Sequence, residues 1–176
     1  MDAEGEDHDA RFSEDGSFTA RLSQGRYEVQ VYTGSDLVAQ SIRSEETDVL
    51  REGLTISRSG KLPFEIALAH DGASVDGIVQ DKDDRPVPGA TVVLVPEVKM
   101  RFRHDLYQET NTDQLGRYHF SFVTPGAYKL FVWSDVEAGM WFDPDFLKDA
   151  EDHGHSITLD AKGHQIVNLR FLAAEK

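Results

Sequence analysis

The groups in this chain that could do chemistry are a few histidines, several clustered carboxylates and one short basic run. His153-Gly154-His155 sets two imidazoles two residues apart, which an extended segment would turn to one side, and His164 lies across a turn as a third nitrogen. A zinc peptidase would need a His-x-x-Glu or His-Glu-x-x-His spacing, and neither occurs. Asp81-Lys82-Asp83-Asp84 and Asp143-Pro144-Asp145 offer oxygen ligands, but neither has the spaced acidic run with a closing Glu that a calcium loop uses. Turn and N-cap roles account for both. No Gly-x-Ser-x-Gly elbow, Ser-x-x-Lys pair or cysteine supplies a nucleophile. The expectation is therefore no catalytic residue, no metal and no cofactor. Lys99, Arg101, Arg103 and His104 form the one basic cluster; a solvated charge run paired with nearby Asp and Glu is favoured over an anion grip.

Such residues need a scaffold, and composition limits what it can be. Of 176 residues, 39% are apolar, enough for a core, while 32 acidic against 18 basic residues leave a formal charge of −14. That surface repels phosphate backbones and anionic headgroups, so nucleic acid is excluded as a partner. No apolar run approaches the ~20 residues of a membrane span, so no membrane insertion is expected. The segment Met1–Asp7 is acidic where a secretion signal would be basic and then apolar.

From Val75 to Trp133 the chain alternates short β-branched and aromatic runs with Asp, Gly and Pro clusters, which predicts an all-β antiparallel sandwich. Period-two reading puts Val75, Gly77 and Val79 on one face, then Tyr118, Phe120 and Phe122, then Tyr128, Leu130 and Val132. Asp113 to Gly116 supplies a turn. Pro125-Gly126 fits a type II turn with Gly at positive φ. Tyr128 is placed to cap a backbone carbonyl at the sandwich end. In the insertion from Asp135 to Gly154, Asp143 can N-cap a short helix that starts at Pro144 and turns Phe146, Leu147 and Ala150 toward the sheet.

Four blocks in order, Val-x-Gly-x-Val (Gly77), Pro-x-x-Gly-Ala (from Pro86, with Pro88 and Gly89), Thr-Asp-x-x-Gly-x-Tyr (Asp113, Gly116, Tyr118) and Pro-Gly-x-Tyr (Pro125, Gly126, Tyr128), resemble carboxypeptidase regulatory-like domains. The resemblance implies an Ig-like or transthyretin-like β-sandwich that is itself non-catalytic, common in bacterial envelope and secreted proteins. It implies an extracytoplasmic location and protein partners or neighbouring domains of a longer chain. Similar sandwiches include starch-binding-like domains, which makes Tyr107, Trp133, Trp141 and Phe142 candidates for stacking on a glycan; plugging the sandwich end is the competing role. An accessory role beside a hydrolase is a further alternative.

A repeat at an offset of about 100 residues relates Asp15-Gly16-Ser17-Phe18 and Gly25-Arg26-Tyr27 to Gly116-Arg117-Tyr118 and Gly126-Ala127-Tyr128, and Gly53-Leu54-Thr55-Ile56 to Ser156-Ile157-Thr158-Leu159. The expected organisation is an acidic disordered N-terminus (1–11), a partial module holding only a second half (12–70) and a complete module (73–173). The missing first half suggests a piece of a longer multidomain protein.

Overall fold

The structure, a computed structural model, describes residues 10–33 and 37–171; most of the acidic 1–11 segment and the last residues of the second unit lie outside them. In the first unit the strands are β1 (Gly25–Tyr27), β2 (Val38–Ser44), β3 (Thr47–Asp48), β4 (Leu54–Ile56) and β5 (Glu65–Ala69), with a short helix α1 (Val49–Glu52). In the second they are β6 (Ala73–Gln80), β7 (Thr91–Pro96), β8 (Gln108–Asn111), β9 (Arg117–Val123), β10 (Gly126–Trp133), β11 (His155–Leu159), β12 (His164–Ile166) and β13 (Leu169–Arg170), with α2 (Pro144–Ala150).

The second unit is a sandwich of two four-stranded sheets. One runs β11-β10-β7-β8, all antiparallel; in the other, β6 is flanked by β9 on one side and by β12 and β13, both parallel to it, on the other. Val75 and Val79 from β6, Tyr118 and Phe120 from β9, Val92 and Leu94 from β7, and Tyr128 and Leu130 from β10 meet between the sheets. β7 is buried on both faces, which explains its unbroken apolar run. Its outer residues Val93 and Val95 join Phe131, Trp141 and Leu147 in a second cluster, where the 135–154 insertion lies over the sheet. As the sequence predicts, Asp143 Oδ1 accepts the Asp145 N–H (2.8 Å) and Pro144 opens α2, whose Leu147 is buried.

Two sequence expectations fail. Phe122 does not continue the inward face of Tyr118 and Phe120: Val75 pairs with Phe120 but Ala73 with Val123, so β9 carries an extra residue there. Phe122 sits in that irregularity at φ 56° and is 51% exposed, while Val123 takes the core position. Gly126 is not at positive φ either; it is an extended residue of β10 paired with Leu159. The positive-φ glycine after proline is Gly89 (φ 71°), behind Pro88.

That Pro88-Gly89 turn is closed by a side chain from elsewhere. Thr112 Oγ1 accepts the Ala90 N–H (2.9 Å) and donates to the Val87 carbonyl (2.7 Å), while the Thr112 backbone exchanges bonds with Gly89 and Ala90. Thr112→Val keeps the shape and deletes both side-chain bonds, leaving a buried N–H without a partner. A loss of about 1–3 kcal/mol is expected, read as a lower urea midpoint at unchanged slope.

In the first unit, Ile42, Val49 and Leu54 form a small core with Tyr27, Phe64 and Ile66. β1 pairs with β4 through Gly25↔Ile56, Arg26↔Thr55 and Tyr27↔Leu54; β10 pairs with β11 through Gly126↔Leu159, Ala127↔Thr158 and Tyr128↔Ile157. Tyr27 Oη donates to the Ser23 carbonyl (3.0 Å), and Tyr128 Oη to the Thr124 carbonyl (2.7 Å), each four residues back. Gly16 and Gly116 both sit at positive φ, each donating its N–H three residues back.

Candidate functional site

The motif glycine Gly77 lies where the parallel ladder between β6 and the last strands is interrupted. Opposite it, the Val167 carbonyl turns inward and accepts the Tyr118 hydroxyl (2.6 Å) instead of the Ile78 N–H. Asn168 Oδ1 takes over as acceptor for Ile78 (3.2 Å). Asp113 Oδ1 accepts from the N–H groups of Leu115 and Arg117 (2.8 Å each), and Gly116 carries φ 72°. Burial raises the Tyr118 and Tyr128 hydroxyls well above the ordinary tyrosine range, the larger cause in each case being desolvation. Both are therefore neutral donors, not acid–base groups. Gly77, Pro88, Gly89, Asp113, Gly116, Tyr118 and Tyr128 thus build closures and turns.

The candidate aromatic residues are close in space but unequal. Trp141 is 4% exposed, inside the cluster over the outer sheet face, and offers no open ring face. Trp133 stacks on Phe131 (5.4 Å between centroids, 9° between planes) and meets Phe146 at 5.5 Å. Tyr107 is half-buried, its hydroxyl on the Arg101 carbonyl (3.2 Å). Phe142 is the open one, 39% exposed, with the rings of His104 (4.6 Å) and Tyr107 (4.9 Å) against it.

The basic run separates into distinct roles. Arg103 is bidentate on Asp105 (2.7 and 2.6 Å), a nearby carboxylate as the sequence suggests, but the pair is buried and not solvated. Arg101 Nη2 and Lys129 Nζ converge on Glu151 from 2.8 and 2.7 Å. Burial raises the Glu151 carboxyl, but hydrogen bonds from Lys129 and Arg101, and their charges, outweigh it and hold the group below the usual range. This trio borders an open dish of about 410 Å³ whose lining includes Glu97, Lys99, Ala127, Ser156 and Thr158.

His164 does not join His153 and His155. Its Nδ1 lies 2.9 Å from Ser74 Oγ and 3.4 Å from Asp76, whose other oxygen is 2.8 Å from His119 Nδ1, across three strands of the open sheet face. Among the described residues no group of three or more His, Cys, Asp or Glu could hold a metal ion. Asp81 Oδ1 accepts from the N–H groups of Asp83 and Arg85, the turn role its sequence suggests. No described helix is long and apolar enough to cross a membrane.

Comparison with known proteins bears on this scaffold. The profile of the carboxypeptidase regulatory-like domain matches residues 74–138. No curated protein matches the chain. Among solved structures, the Bacillus anthracis TIE protein is similar over 67% of this chain and 20% of its own, at 11% identity and TM-score 0.40. The major pilin subunit of Bacillus cereus is similar over 62% and 33%, at 10% and 0.38. A proposed carbohydrate binding protein from Pseudomonas aeruginosa is similar over 57% and 89%, at 15% and 0.37. This chain thus spans about a fifth of the length of the first of these. A carboxypeptidase regulatory-like domain thus occupies residues 74–138, which supply β6 to β10 of the transthyretin-like β-sandwich.

Proposed function

We propose that the chain is a rigid spacer and protein-interaction unit of a longer bacterial extracytoplasmic protein. Residues 12–70 serve in it as a diverged copy of the second half of the module at 73–173. The matched pairing of β1 with β4 and of β10 with β11, and the two tyrosine closures, support the second point. The copies differ at the other edge, where β2 pairs with β5 antiparallel and β6 pairs with β12 and β13 parallel.

The observation that carries the spacer reading is the joint. Only His70, Asp71 and Gly72 separate β5 from β6. The Asp71 carbonyl accepts the Lys162 N–H (3.0 Å), its carboxylate meets Lys162 Nζ (3.6 Å), and Gln40 of β2 donates to the same carboxylate. A Cβ on Gly72 would come within 2.7 Å of Phe122 Cα, so the linker lies directly on the β9 irregularity. A joint tied to both units transmits orientation, whereas a free Gly-rich linker would not.

The test is small-angle scattering of the full chain. One rigid arrangement should fit the wild-type curve, and Gly72→Ala, which forces the linker off Phe122, should require an ensemble. A wild-type curve that already needs an ensemble would end the spacer reading. Glycan binding remains as a second reading because Phe142 is exposed beside His104 and Tyr107. Loss of binding on a glycan array in Phe142→Ala would favour it. Trp141→Ala, by contrast, empties a packed cluster and reports folding.

A further inference from the structure

The dish beside Glu151 lies on the outer face of the β11-β10-β7-β8 sheet, in the part that the 135–154 insertion leaves open. Its floor is made of the short side chains of Ala127, Ser156 and Thr158, from the paired strands β10 and β11. Its rim carries three cations, Lys99, Arg101 and Lys129, against two carboxylates, Glu97 and Glu151. A net positive hollow on a chain of charge −14 is unusual and works against the field of the remaining surface.

We propose that this dish binds an acidic peptide segment of a protein partner, which rests on the interaction reading above. Glu151 already shows the geometry: a carboxylate held at 2.7 and 2.8 Å by Lys129 and Arg101, as a partner's Asp or Glu would be. The guanidinium is fixed from behind, since Arg101 Nε donates to the Pro96 carbonyl (3.4 Å) and the Arg101 carbonyl accepts the Tyr107 hydroxyl. Lys99 has no ionic partner among the described residues, and the Ser156 and Thr158 hydroxyls make no hydrogen bond among them. These groups suit a strand-like peptide, with hydroxyls toward its backbone and ammonium and guanidinium groups toward its side chains. Tyr128 is the one aromatic in the lining, buried and tied to Thr124, so a sugar ring would find no platform there.

Glu151 is then an internal competitor for its own site. The test is fluorescence anisotropy with labelled hexa-glutamate against the full chain, with hexa-glutamine and oligogalacturonate as comparisons. Salt of about 0.15 M suits it, where the Debye length of ~8 Å mutes distant acidic residues and spares contacts in the dish. Hexa-glutamate should bind and hexa-glutamine should not. Lys99→Glu, at an exposed unpaired position, should weaken binding about tenfold without moving the melting temperature. Glu151→Gln should tighten it about threefold by freeing two cations. Absence of hexa-glutamate binding, indifference to Lys99→Glu, or preference for oligogalacturonate would each overturn the proposal. None of those outcomes alters the scattering result, so failure of the dish and failure of the spacer reading are separable.

Discussion

Gly77→Ala is expected to abolish cooperative folding of the second unit. A Cβ at this position would lie 1.8 Å from the Val167 carbonyl oxygen and 2.6 and 2.8 Å from Tyr118 ring atoms. The backbone has no alternative course, because Val167 N–H is bonded to Asp76 and its carbonyl to Tyr118, while the strand on either side keeps its register with β6. A clash with fixed backbone costs about 4 kcal/mol or more, a large part of the roughly 5–15 kcal/mol that holds a domain together. Tyr118→Phe should cost only about 1–1.5 kcal/mol, since it removes one hydrogen bond and keeps the ring. Adding Tyr118→Leu to Gly77→Ala should not restore folding, because the shortest contact is to backbone. Circular dichroism during thermal melting checks all three. A Gly77→Ala protein that melts near the wild-type temperature would show that the last strand does not cross β6 in this way.

The same glycine shows what the sequence makes legible. Its motif, Val-x-Gly-x-Val, identifies the strand and its inward face, because alternation is a local property that sidedness enforces. It does not reveal that a carbonyl 90 residues later needs the space, since that contact exists only once the sheet has formed. The N-cap at Asp143 and the turn at Asp113 were readable for the same local reason. Phe122 departs from the period-two pattern because an extra residue in β9 reverses the alternation after Phe120, and no residue type there announces it. Pro125-Gly126 has turn composition, but pairing of β10 with β11 draws Gly126 into the ladder and leaves the left-handed role to Gly89. Among the candidate site residues, aromatic type alone could not separate a buried Trp141 from an exposed Phe142. Arg101, Lys129 and their shared partner Glu151 come from three separate stretches of the chain, so the dish emerges only from the tertiary arrangement.

Asp105→Ala is expected to produce the second large loss, about 3–5 kcal/mol, because it strands a buried guanidinium. The Arg103 and Asp105 side chains are 3% and 4% exposed, and both bonds between them are short. The loop that holds them enters the main core through Leu106. Asp105 also accepts the Val31 N–H of the first unit, at 3.5 Å. With the carboxylate gone, Arg103 would have to remain buried and unpaired or pull its loop toward water and unpack Leu106. The pair itself need not be strongly stabilising, since two charges removed from water recover little net energy. Replacing both residues, as Arg103→Met with Asp105→Leu, should therefore fall within about 1 kcal/mol of wild type. Chemical denaturation of the two single variants and the double gives the coupling directly. Hydrogen exchange at the Val31 amide should accelerate in every variant that lacks the carboxylate, including the stable double variant. A double variant as unstable as Asp105→Ala would mean that the loop needs the ionic contact itself. Restored stability together with fast Val31 exchange would assign the pair to the seam between the units, where it fixes their orientation without holding either one folded.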